Sequence, residues 1–396
     1  MGRHYVLKQT PIENPWISRA DCDLAEFEQI ICAEPANSHS LAAELQQRIP
    51  LYNGNIIREK SDDPRYIHAL LSEWNQVLES GAGVIVIKNA YTDITLLDQV
   101  TEVLQKIINT EKSANEEVGD HFAAAGANSR IWNAHEKLAV ANPELFTKYY
   151  ANPIIHLASR AWLGPGYQIT AQVNVVHPGG AAQVCHRDYH LGFQSIEQLS
   201  AYPLNVQRLS PHLTLQGAIA HSNMTLESGP TKILPCSQRY AQGYLAAQLP
   251  QFRDYFESHY AQLPLKTGDM MYFNPATFHA AGDNRTNDDR IANLFQIGSA
   301  FGRTTELVDR TKLCRLIYPV LLKAQLEETL STRELNDVIA ATAEGYSFPC
   351  NLDLTPPVDG LAPQSQLQLM SDHIANNCPS IEFNEALDQG VSLRRT

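Results

Sequence analysis

Between residues 167 and 302 the sequence is built of short strand-forming stretches, and this pattern restricts the fold more than any other feature. The stretches YQITAQVNVV, HLTLQGAIAH, TKILP, DMMYFN and RIANLFQIG are separated by turns rich in Gly, Pro and Asn, with one helical insertion near residues 240–262. Evenly spaced short strands are typical of a sandwich or jelly roll rather than of a parallel α/β sheet. The sequence therefore predicts an α+β protein with a jelly-roll core.

Helical patterns lie on both sides of this core in the sequence. Residues 64–112 predict a helix, a strand and a second helix capped by Thr92 or Asp93, and one further helix is expected over residues 143–163. Residues 316–344 also have a helical pattern. The Pro-rich stretch SFPCNLDLTPPVDGLAPQSQ, in contrast, predicts an extended C-terminal tail.

The length of 396 residues allows either one large core or two medium-sized domains. No internal repeat or low-complexity tract divides the sequence. We expect a single domain over residues 1–396, composed of an N-terminal mixed α/β part (64–163), the jelly-roll core (167–302), and C-terminal helices with a Pro-rich tail (303–396).

Composition and charge narrow the choice of partners and compartment. A formal net charge of −13 disfavours nucleic acid, because phosphate contacts need clustered Lys and Arg. Neither an apolar run of about 18 residues nor an apolar core in the starting segment MGRHYVLKQT is present, which argues against a membrane span and secretion. The 7 cysteines are scattered and form no CxxC pair, as in reducing compartments. A cytoplasmic protein with a small-molecule substrate is expected, and nothing indicates its oligomeric state.

The segment 184-VCHRDYHLGF-193 contains three side chains that bind metals or move protons: His186, Asp188 and His190. In an extended strand these three residues would point to the same side, with Arg187 and Tyr189 on the other. The two histidines would then lie roughly 13 Å apart, too far to share one ion bound at about 2 Å per ligand. A third ligand must therefore come from elsewhere, and His190 is expected to make either a structural hydrogen bond or a contact with substrate.

His279 has the most suitable context among the downstream histidines, in GDMMYFNPATFHAAGDNRTNDDRIANLFQIG. A turn and a strand precede it, a loop presents it, and Arg290 begins the next strand. Two histidines and one carboxylate on one face of an octahedral ion leave three positions open, as in non-haem Fe(II) oxygenases. The planar guanidinium of Arg290 suits the far carboxylate of a dicarboxylate such as 2-oxoglutarate.

These residues together resemble the phytanoyl-CoA dioxygenase family of Fe(II)/2-oxoglutarate-dependent oxygenases. His186-x-Asp188 is followed after 91 positions (279 minus 188) by His279 and after 11 more (290 minus 279) by Arg290. The segment 226-LESGPTKILPCSQRY-240 is similar to the family's Asn-Gly-x-x-x-x-x-Pro-Gly-Ser-His segment, and the resemblance covers residues 64–302.

The resemblance implies a double-stranded β-helix, cupin-like core in which His186, Asp188 and His279 hold Fe(II). It further implies that 2-oxoglutarate chelates the metal with its far carboxylate on Arg290 and that O2 takes the last open position. The expected reaction hydroxylates an aliphatic carbon of a small or medium-sized metabolite and produces succinate and CO2. The sequence departs from the family at Ala281, where some members have a hydroxyl residue.

Five further residues are candidates for the pocket. Alternation in QITAQVNVV places Gln172 and Asn174 on a polar face, which either faces solvent or lines the pocket; the resemblance favours the pocket, with Gln172 contacting 2-oxoglutarate and Asn174 near the substrate. Gln216 lies on the strand where some family members have Trp. Arg130 and Trp132 belong to the loop-like stretch 120-DHFAAAGANSRIWNAHEKL-138, which is either a structural loop or a lid over the substrate.

Two other classes of function remain open on these residues. The same ligands hold zinc or another divalent ion in cupin-type hydrolases and isomerases, where Arg290 would bind a substrate carboxylate. A non-catalytic jelly-roll binding protein is the second alternative, although a structural metal site normally closes its coordination sphere. Retention of Asp188 favours hydroxylation or a related oxidation over halogenation, because halogenating relatives lack this carboxylate.

Overall fold

A computed structural model of the chain describes residues 14–33, 39–114, 127–357 and 361–395. Its strands are β1 (Glu44–Gln46), β2 (Ile49–Asn53), β3 (Val84–Lys88), β4 (Asn128–Ile131), β5 (Gln168–Val176), β6 (Thr214–Ala220), β7 (Lys232–Ile233), β8 (Ala261–Gln262), β9 (Met270–Phe273), β10 (His279–Ala280) and β11 (Arg290–Gly298).

The helices of the described residues are α1 (Leu24–Cys32), α2 (Gly54–Glu59), α3 (Pro64–Glu79), α4 (Ile94–Ala114), α5 (Ala134–Ala141), α6 (Pro143–Tyr150), α7 (Pro153–Leu163), α8 (Ile196–Ser200), α9 (Leu204–Leu209), α10 (Gly243–Ala246), α11 (Pro250–His259), α12 (Arg310–Leu326), α13 (Thr332–Thr342), α14 (Gln366–Ala375) and α15 (Ser380–Leu393). Among these helices, none combines the length and the apolar composition that a membrane span requires.

The larger of two sheets has eight strands in the order β1-β2-β3-β9-β6-β11-β5-β4. Its strand pairs are antiparallel, except that β2 and β3 are parallel. Helices α3, α5, α7 and α13 contact its strands, and their apolar side chains join those of β3, β5, β6 and β9 in the main hydrophobic core. The inner face of β5, β6, β9 and β11 faces a cavity.

The smaller sheet, β10-β7-β8, lies on the other side of that cavity. An isolated antiparallel bridge between His186 and His279 adds the segment around residue 186 to its edge. Two mainly antiparallel sheets that face each other across a cavity, with helices on the outside, form a jelly-roll core. The predicted α+β class is therefore confirmed, and all five strand-forming stretches of the sequence contain strands.

The N-terminal helix–strand–helix prediction is also confirmed. Helix α3 begins after Asp63, whose carboxylate accepts hydrogen bonds from two backbone N–H groups, and has Pro64 in its first turn, where a missing N–H costs nothing. Of the two N-cap residues predicted for α4, Asp93 caps the helix, because its Oδ1 accepts a hydrogen bond from the backbone N–H of Leu96 at 3.1 Å.

The single helix expected over residues 143–163 is two helices, α6 and α7. Pro153 disfavours a helical backbone at the residue before it, and Asn152 accordingly has extended dihedral angles of φ −73° and ψ 115°. The side chain of Asn152 then caps α7 by accepting a hydrogen bond from the backbone N–H of Ile154. The Asn-Pro pair therefore ends one helix and begins the next.

Two other expectations need correction. In the loop-like stretch 120–138, residues 128–131 form β4 and the stretch enters α5 at Ala134, while residues 120–126 lie outside the described residues. The described residues of the Pro-rich stretch before Gln366 are irregular, but the C-terminal part then continues with α14 and α15, which pack with α12. Ser365 begins α14 with a reciprocal capping box to Gln368.

Candidate metal centre

Two backbone hydrogen bonds bring His186 and His279 side by side. The N–H of His186 donates to the carbonyl of His279 at 3.1 Å, and the N–H of His279 donates to the carbonyl of His186 at 3.2 Å. Asp188 lies two residues further along the chain, and its Oδ2 is 3.8 Å from Nε2 of His186 and 3.6 Å from Nε2 of His279. The ligand atoms of all three side chains lie within 4.8 Å of one another. The convergence that the sequence predicted is present.

Hydrogen bonds orient both imidazoles toward a common point. Nδ1 of His186 lies 2.8 Å from the carbonyl oxygen of Val184, and Nδ1 of His279 lies 2.9 Å from that of Thr277. A carbonyl oxygen only accepts, so in the neutral form of each imidazole Nδ1 carries the proton and Nε2 has the free lone pair. Burial, followed by the neighbouring His279, lowers the pKa of His186 and favours the neutral form that binds metals. Two imidazole nitrogens and a carboxylate oxygen fit a divalent transition metal.

The carboxylate of Asp188 is held by Gln216 of β6. Nε2 of Gln216 donates to Oδ2 of Asp188 at 2.8 Å in a buried hydrogen bond. Burial by itself would raise the pKa of Asp188, but the imidazoles of His186 and His279 and the Gln216 amide outweigh it and lower the pKa to about 2. Asp188 is therefore ionised at neutral pH, as a metal ligand must be.

Arg187 anchors the segment from its opposite side. Its buried guanidinium donates to the carbonyl of Ser237 at 2.6 Å and to that of Tyr240 at 2.9 Å, and lies over the ring of Phe278. Gly243 allows this placement, because a Cβ added there would lie 1.8 Å from Cζ of Arg187. As predicted by alternation, Arg187 points away from the metal centre.

A cavity of about 500 Å³ opens beside the three candidate ligands. Its walls come from the inner face of the larger sheet, from the segment 182–193, and from the smaller sheet with its loops. Alternate residues of β11 line it, beginning with Arg290 and continuing with Ala292, Leu294 and Gln296. The volume falls within the range of about 300–1,000 Å³ that is usual for small-molecule sites.

Arg290 is a buried cation at this cavity. It is 7% exposed, and its Nη1 donates to the backbone carbonyls of Ser228 at 2.9 Å and Gly282 at 3.2 Å. Burial lowers the pKa of Arg290 to about 10, which leaves the guanidinium charged at neutral pH. No carboxylate of the described residues pairs with it. A buried charge without a protein counterion is costly, so this position calls for an anionic ligand.

The other candidate residues, Gln172, Asn174, Arg130 and Trp132, all line the cavity together with Gln216. Nη1 of Arg130 donates to Oε1 of Gln172 at 3.0 Å, and the Arg130 guanidinium lies 5.2 Å from the centre of the Trp132 ring. The polar face predicted for β5 therefore faces the pocket rather than solvent.

His190 does not line the cavity, so the prediction that it points to the same side as His186 and Asp188 is wrong. The chain turns into a short 3-10 helix at His190–Phe193, and His190 itself has a φ of 55°. Nε2 of His190 lies 3.1 Å from Oγ1 of Thr214, so the residue makes the structural hydrogen bond that was one of its two expected roles. The same turn brings Tyr189 to the cavity, although alternation assigned Tyr189 to the opposite face.

Gln296 and Phe193 also line the cavity, and the sequence reasoning did not include them. Gln296 lies an even number of residues after Arg290 on β11, so both side chains point to the same face of the strand. Alternation from Arg290 would therefore have identified Gln296. Phe193 follows the turn at His190 and had no comparable signal.

Comparison with known proteins identifies the family. Residues 80–292 match the phytanoyl-CoA dioxygenase (PhyH) family. This match spans more than half of the 396 residues, and the chain belongs to this family of non-haem iron, 2-oxoglutarate-dependent enzymes. No curated protein sequence matches the chain.

Three solved structures illustrate the similarity in fold. The non-haem α-ketoglutarate-dependent carbocyclase SnoK from nogalamycin biosynthesis has 18% identity and a TM-score of 0.44, with 61% of this chain and 89% of SnoK covered. The epimerase SnoN, solved with Fe3+, α-ketoglutarate and nogalamycin RO, has 15% identity and a TM-score of 0.43, with coverage of 62% and 88%. HygX from Streptomyces hygroscopicus, solved with nickel, 2-oxoglutarate and hygromycin B, has 13% identity and a TM-score of 0.39, with coverage of 57% and 86%.

Proposed function

We propose that this protein hydroxylates an aliphatic carbon of a small or medium-sized metabolite, with Fe(II), 2-oxoglutarate and O2, and releases succinate and CO2. His186, Asp188 and His279 are the proposed metal ligands. The Nε2 atoms of His186 and His279 and the carboxylate of Asp188 converge beside the cavity. In the neutral imidazoles, both Nε2 atoms have free lone pairs. Three protein ligands leave positions for the co-substrate and O2 on a six-coordinate ion.

The observation that carries the proposal is the buried guanidinium of Arg290. We assign it to the far carboxylate of 2-oxoglutarate, because it lines the same cavity as the three ligands and has no carboxylate partner among the described residues. Within the described residues its hydrogen bonds use Nη1 alone, which leaves the donors on Nη2 and Nε for a ligand.

Gln172 is the proposed second contact to 2-oxoglutarate. Its Oε1 accepts from Arg130, while its buried Nε2 has no hydrogen-bond partner within the described ranges. A free N–H donor suits 2-oxoglutarate, whose oxygens only accept at neutral pH. Asn174, Gln216, Arg130 and Trp132 are proposed to face the substrate.

Bound iron supplies the oxidative chemistry, which couples decarboxylation of 2-oxoglutarate to oxidation of the substrate. The chain's own contribution is to orient the reactants and restrict the access of water. Hydrogen bonds at Nδ1 fix both imidazoles, and Gln216 fixes the Asp188 carboxylate. The apolar lining of the cavity by Leu294, Met271 and Phe273 limits access of water around the bound co-substrate.

Metal reconstitution and a succinate assay test this function. The purified protein is loaded with Fe(II) or with Zn(II), and both binding of 2-oxoglutarate and release of succinate under O2 are measured. We expect 2-oxoglutarate to bind with either metal, and succinate to form only with iron and O2. Zinc in the isolated protein, without binding or consumption of 2-oxoglutarate, would instead favour a cupin-type hydrolase. An unchanged melting temperature with added iron and 2-oxoglutarate would favour a non-catalytic binding protein.

A variant pair then locates the reaction in this site. Asp188→Ala should abolish succinate formation, because it removes one of three metal ligands. Gln207→Met is the matched control. It changes a buried glutamine that donates to the carbonyls of Leu199 and Tyr202 and does not line the cavity.

A further inference from the structure

The wall of the cavity nearest the candidate metal ligands contains two buried glutamines on neighbouring strands. Gln216 of β6 and Gln296 of β11 lie directly opposite each other in the antiparallel register, and each is 5% exposed. Oε1 of each side chain is buried and has no hydrogen-bond partner in the part of the chain that the structure describes. Buried polar atoms are normally paired. The amide of Gln296 also contacts the hydroxyl group of Tyr189, which can donate to its oxygen. Oε1 of Gln216 is therefore the oxygen that points to a ligand.

The orientation of the Gln216 amide is fixed by its partner. A carboxylate at neutral pH only accepts hydrogen bonds, so the atom of Gln216 that lies 2.8 Å from Oδ2 of Asp188 must be the donor, Nε2. The atom left over is therefore the acceptor, Oε1. It can be satisfied only by an O–H or N–H group.

The co-substrate does not provide such a group. At neutral pH 2-oxoglutarate carries two carboxylates and a ketone, all of which only accept. It suits the free Nε2 donor of Gln172, whose Oε1 is occupied by Arg130, but it leaves Oε1 of Gln216 unpaired. A buried acceptor without a donor destabilises the complex. The donor must come from the substrate or from water.

We propose that the substrate carries a hydroxyl or amine group that donates to Oε1 of Gln216. This inference rests on the proposed function and specifies its substrate class. Gln216 also holds the ligand Asp188, so the donor group is placed close to the metal, on or next to the carbon that is oxidised. A site built for an O–H or N–H group discriminates strongly against an analogue without it, because its buried acceptor is then left unpaired.

Aromatic side chains on the same cavity define the rest of the substrate. Tyr189, Phe193 and Trp132 line it, and Phe193 and Trp132 are 54% and 39% exposed. Such surfaces pack on the C–H face of a ring or short chain. The site therefore fits a compound with an apolar face and polar substituents, such as a cyclic alcohol or amino alcohol, and does not fit an unsubstituted alkyl chain.

A matched pair of probes tests the inference without turnover. The protein is loaded with Zn(II) and saturating 2-oxoglutarate, and binding of cis-cyclohexane-1,2-diol is compared with that of cis-1,2-dimethoxycyclohexane by ligand-observed NMR titration. The two compounds share a ring and its oxygens, but only the diol has donors. We expect the diol to bind about tenfold more tightly, since one unpaired buried acceptor corresponds to about 1.4 kcal/mol or more.

Two variants connect the preference to Gln216. Gln216→Met, measured at a Zn(II) concentration that saturates its weakened metal site, keeps the side-chain length and removes the acceptor, so it should abolish the preference for the diol. Gln207→Met, outside the cavity, should leave it unchanged. Should Gln216→Met fail to fold or to bind the metal, the probe pair on the unsubstituted protein still decides.

Equal affinity for the diol and the ether overturns the inference, and so does the absence of detectable binding of either. These results would mean that water satisfies Oε1 of Gln216 in the working enzyme. A preference for the diol that survives Gln216→Met overturns the assignment of the donor to Oε1 of Gln216. The same titration reports on 2-oxoglutarate: failure of 2-oxoglutarate to bind the metal-loaded protein contradicts the proposed function, whereas equal binding of the probes with 2-oxoglutarate bound contradicts only the substrate class.

Discussion

The hydrogen bond from Gln216 to Asp188 predicts a measurable loss of metal affinity when it is removed. It is 2.8 Å long, buried, and has an ionised acceptor, and hydrogen bonds to charged groups contribute about 1.5–3 kcal/mol. Since 1.4 kcal/mol corresponds to a factor of ten, Gln216→Met should weaken metal binding by about 10- to 150-fold. This agrees with the roughly 10- to 100-fold effects of removing groups that orient metal ligands. Methionine keeps the length of the side chain and removes the donor.

Competition of the protein with a fluorescent chelator for Co(II) or anaerobic Fe(II) measures this affinity. Gln207→Met is again the control, because it makes the same substitution at a buried glutamine that donates to two backbone carbonyls away from the cavity. Its thermal stability should fall, but its metal affinity should stay the same. The reasoning is refuted if Gln216→Met folds and binds the metal within about threefold of the unsubstituted protein. It is also refuted if both variants lose the same affinity.

Three further predictions concern the residues around this bond. Arg290→Met should weaken the binding of 2-oxoglutarate by about 2–5 kcal/mol, or roughly 30-fold or more, and leave the metal affinity unchanged. Equal affinities for 2-oxoglutarate in the variant and the unsubstituted protein, measured by calorimetric titration, would contradict the assignment. Asp188→Ala should abolish hydroxylation of an identified substrate, and hydroxylated product detected by mass spectrometry would show that the triad is wrong. Gly243→Ala should destabilise the fold by about 2–3 kcal/mol, since its Cβ displaces the buried guanidinium of Arg187 from two carbonyls; an unchanged midpoint in urea unfolding would refute this.

The candidate metal centre was predictable because its signals are local and chemically specific. His186 and Asp188 are two residues apart, so a locally extended backbone directs both to one side, and the context of His279 was sufficient to choose it among the downstream histidines. Arg290 could be predicted for the same reason, since it begins a strand that the sequence pattern delimits well. Alternation assigned Gln172 to the polar face of β5, and the family resemblance favoured the pocket over solvent for that face.

The course of the chain after Asp188 was not predictable from alternation, because tertiary contacts determine it. Gly192 packs so closely on the segment that an added Cβ would lie 2.0 Å from the carbonyl oxygen of Arg187. This close approach bends the chain at His190, turns that residue toward Thr214, and brings Tyr189 to the cavity. The glycine in HLGF was the available signal, but a glycine alone does not specify which contact requires it.

Other parts of the fold had weak or ambiguous signals. Strands β1 and β2 are short and form a hairpin at the edge of the larger sheet. Its turn residues Gln47 and Arg48 have positive φ but are not the Gly, Asn or Asp that usually indicate such a turn. Helices α14 and α15 follow a Pro-rich stretch, and their apolar residues Met370 and Phe383 acquire a role only by packing in the main core. The division into one domain with three parts stays a prediction.

Anomalous diffraction from crystals grown without oxygen in Fe(II) and 2-oxoglutarate tests the central assignment most directly. One iron peak within bonding distance of His186, Asp188 and His279, with 2-oxoglutarate on the metal and its far carboxylate on Arg290, is the predicted result. An iron peak away from any of these three side chains, or 2-oxoglutarate bound without contact to Arg290, would contradict it.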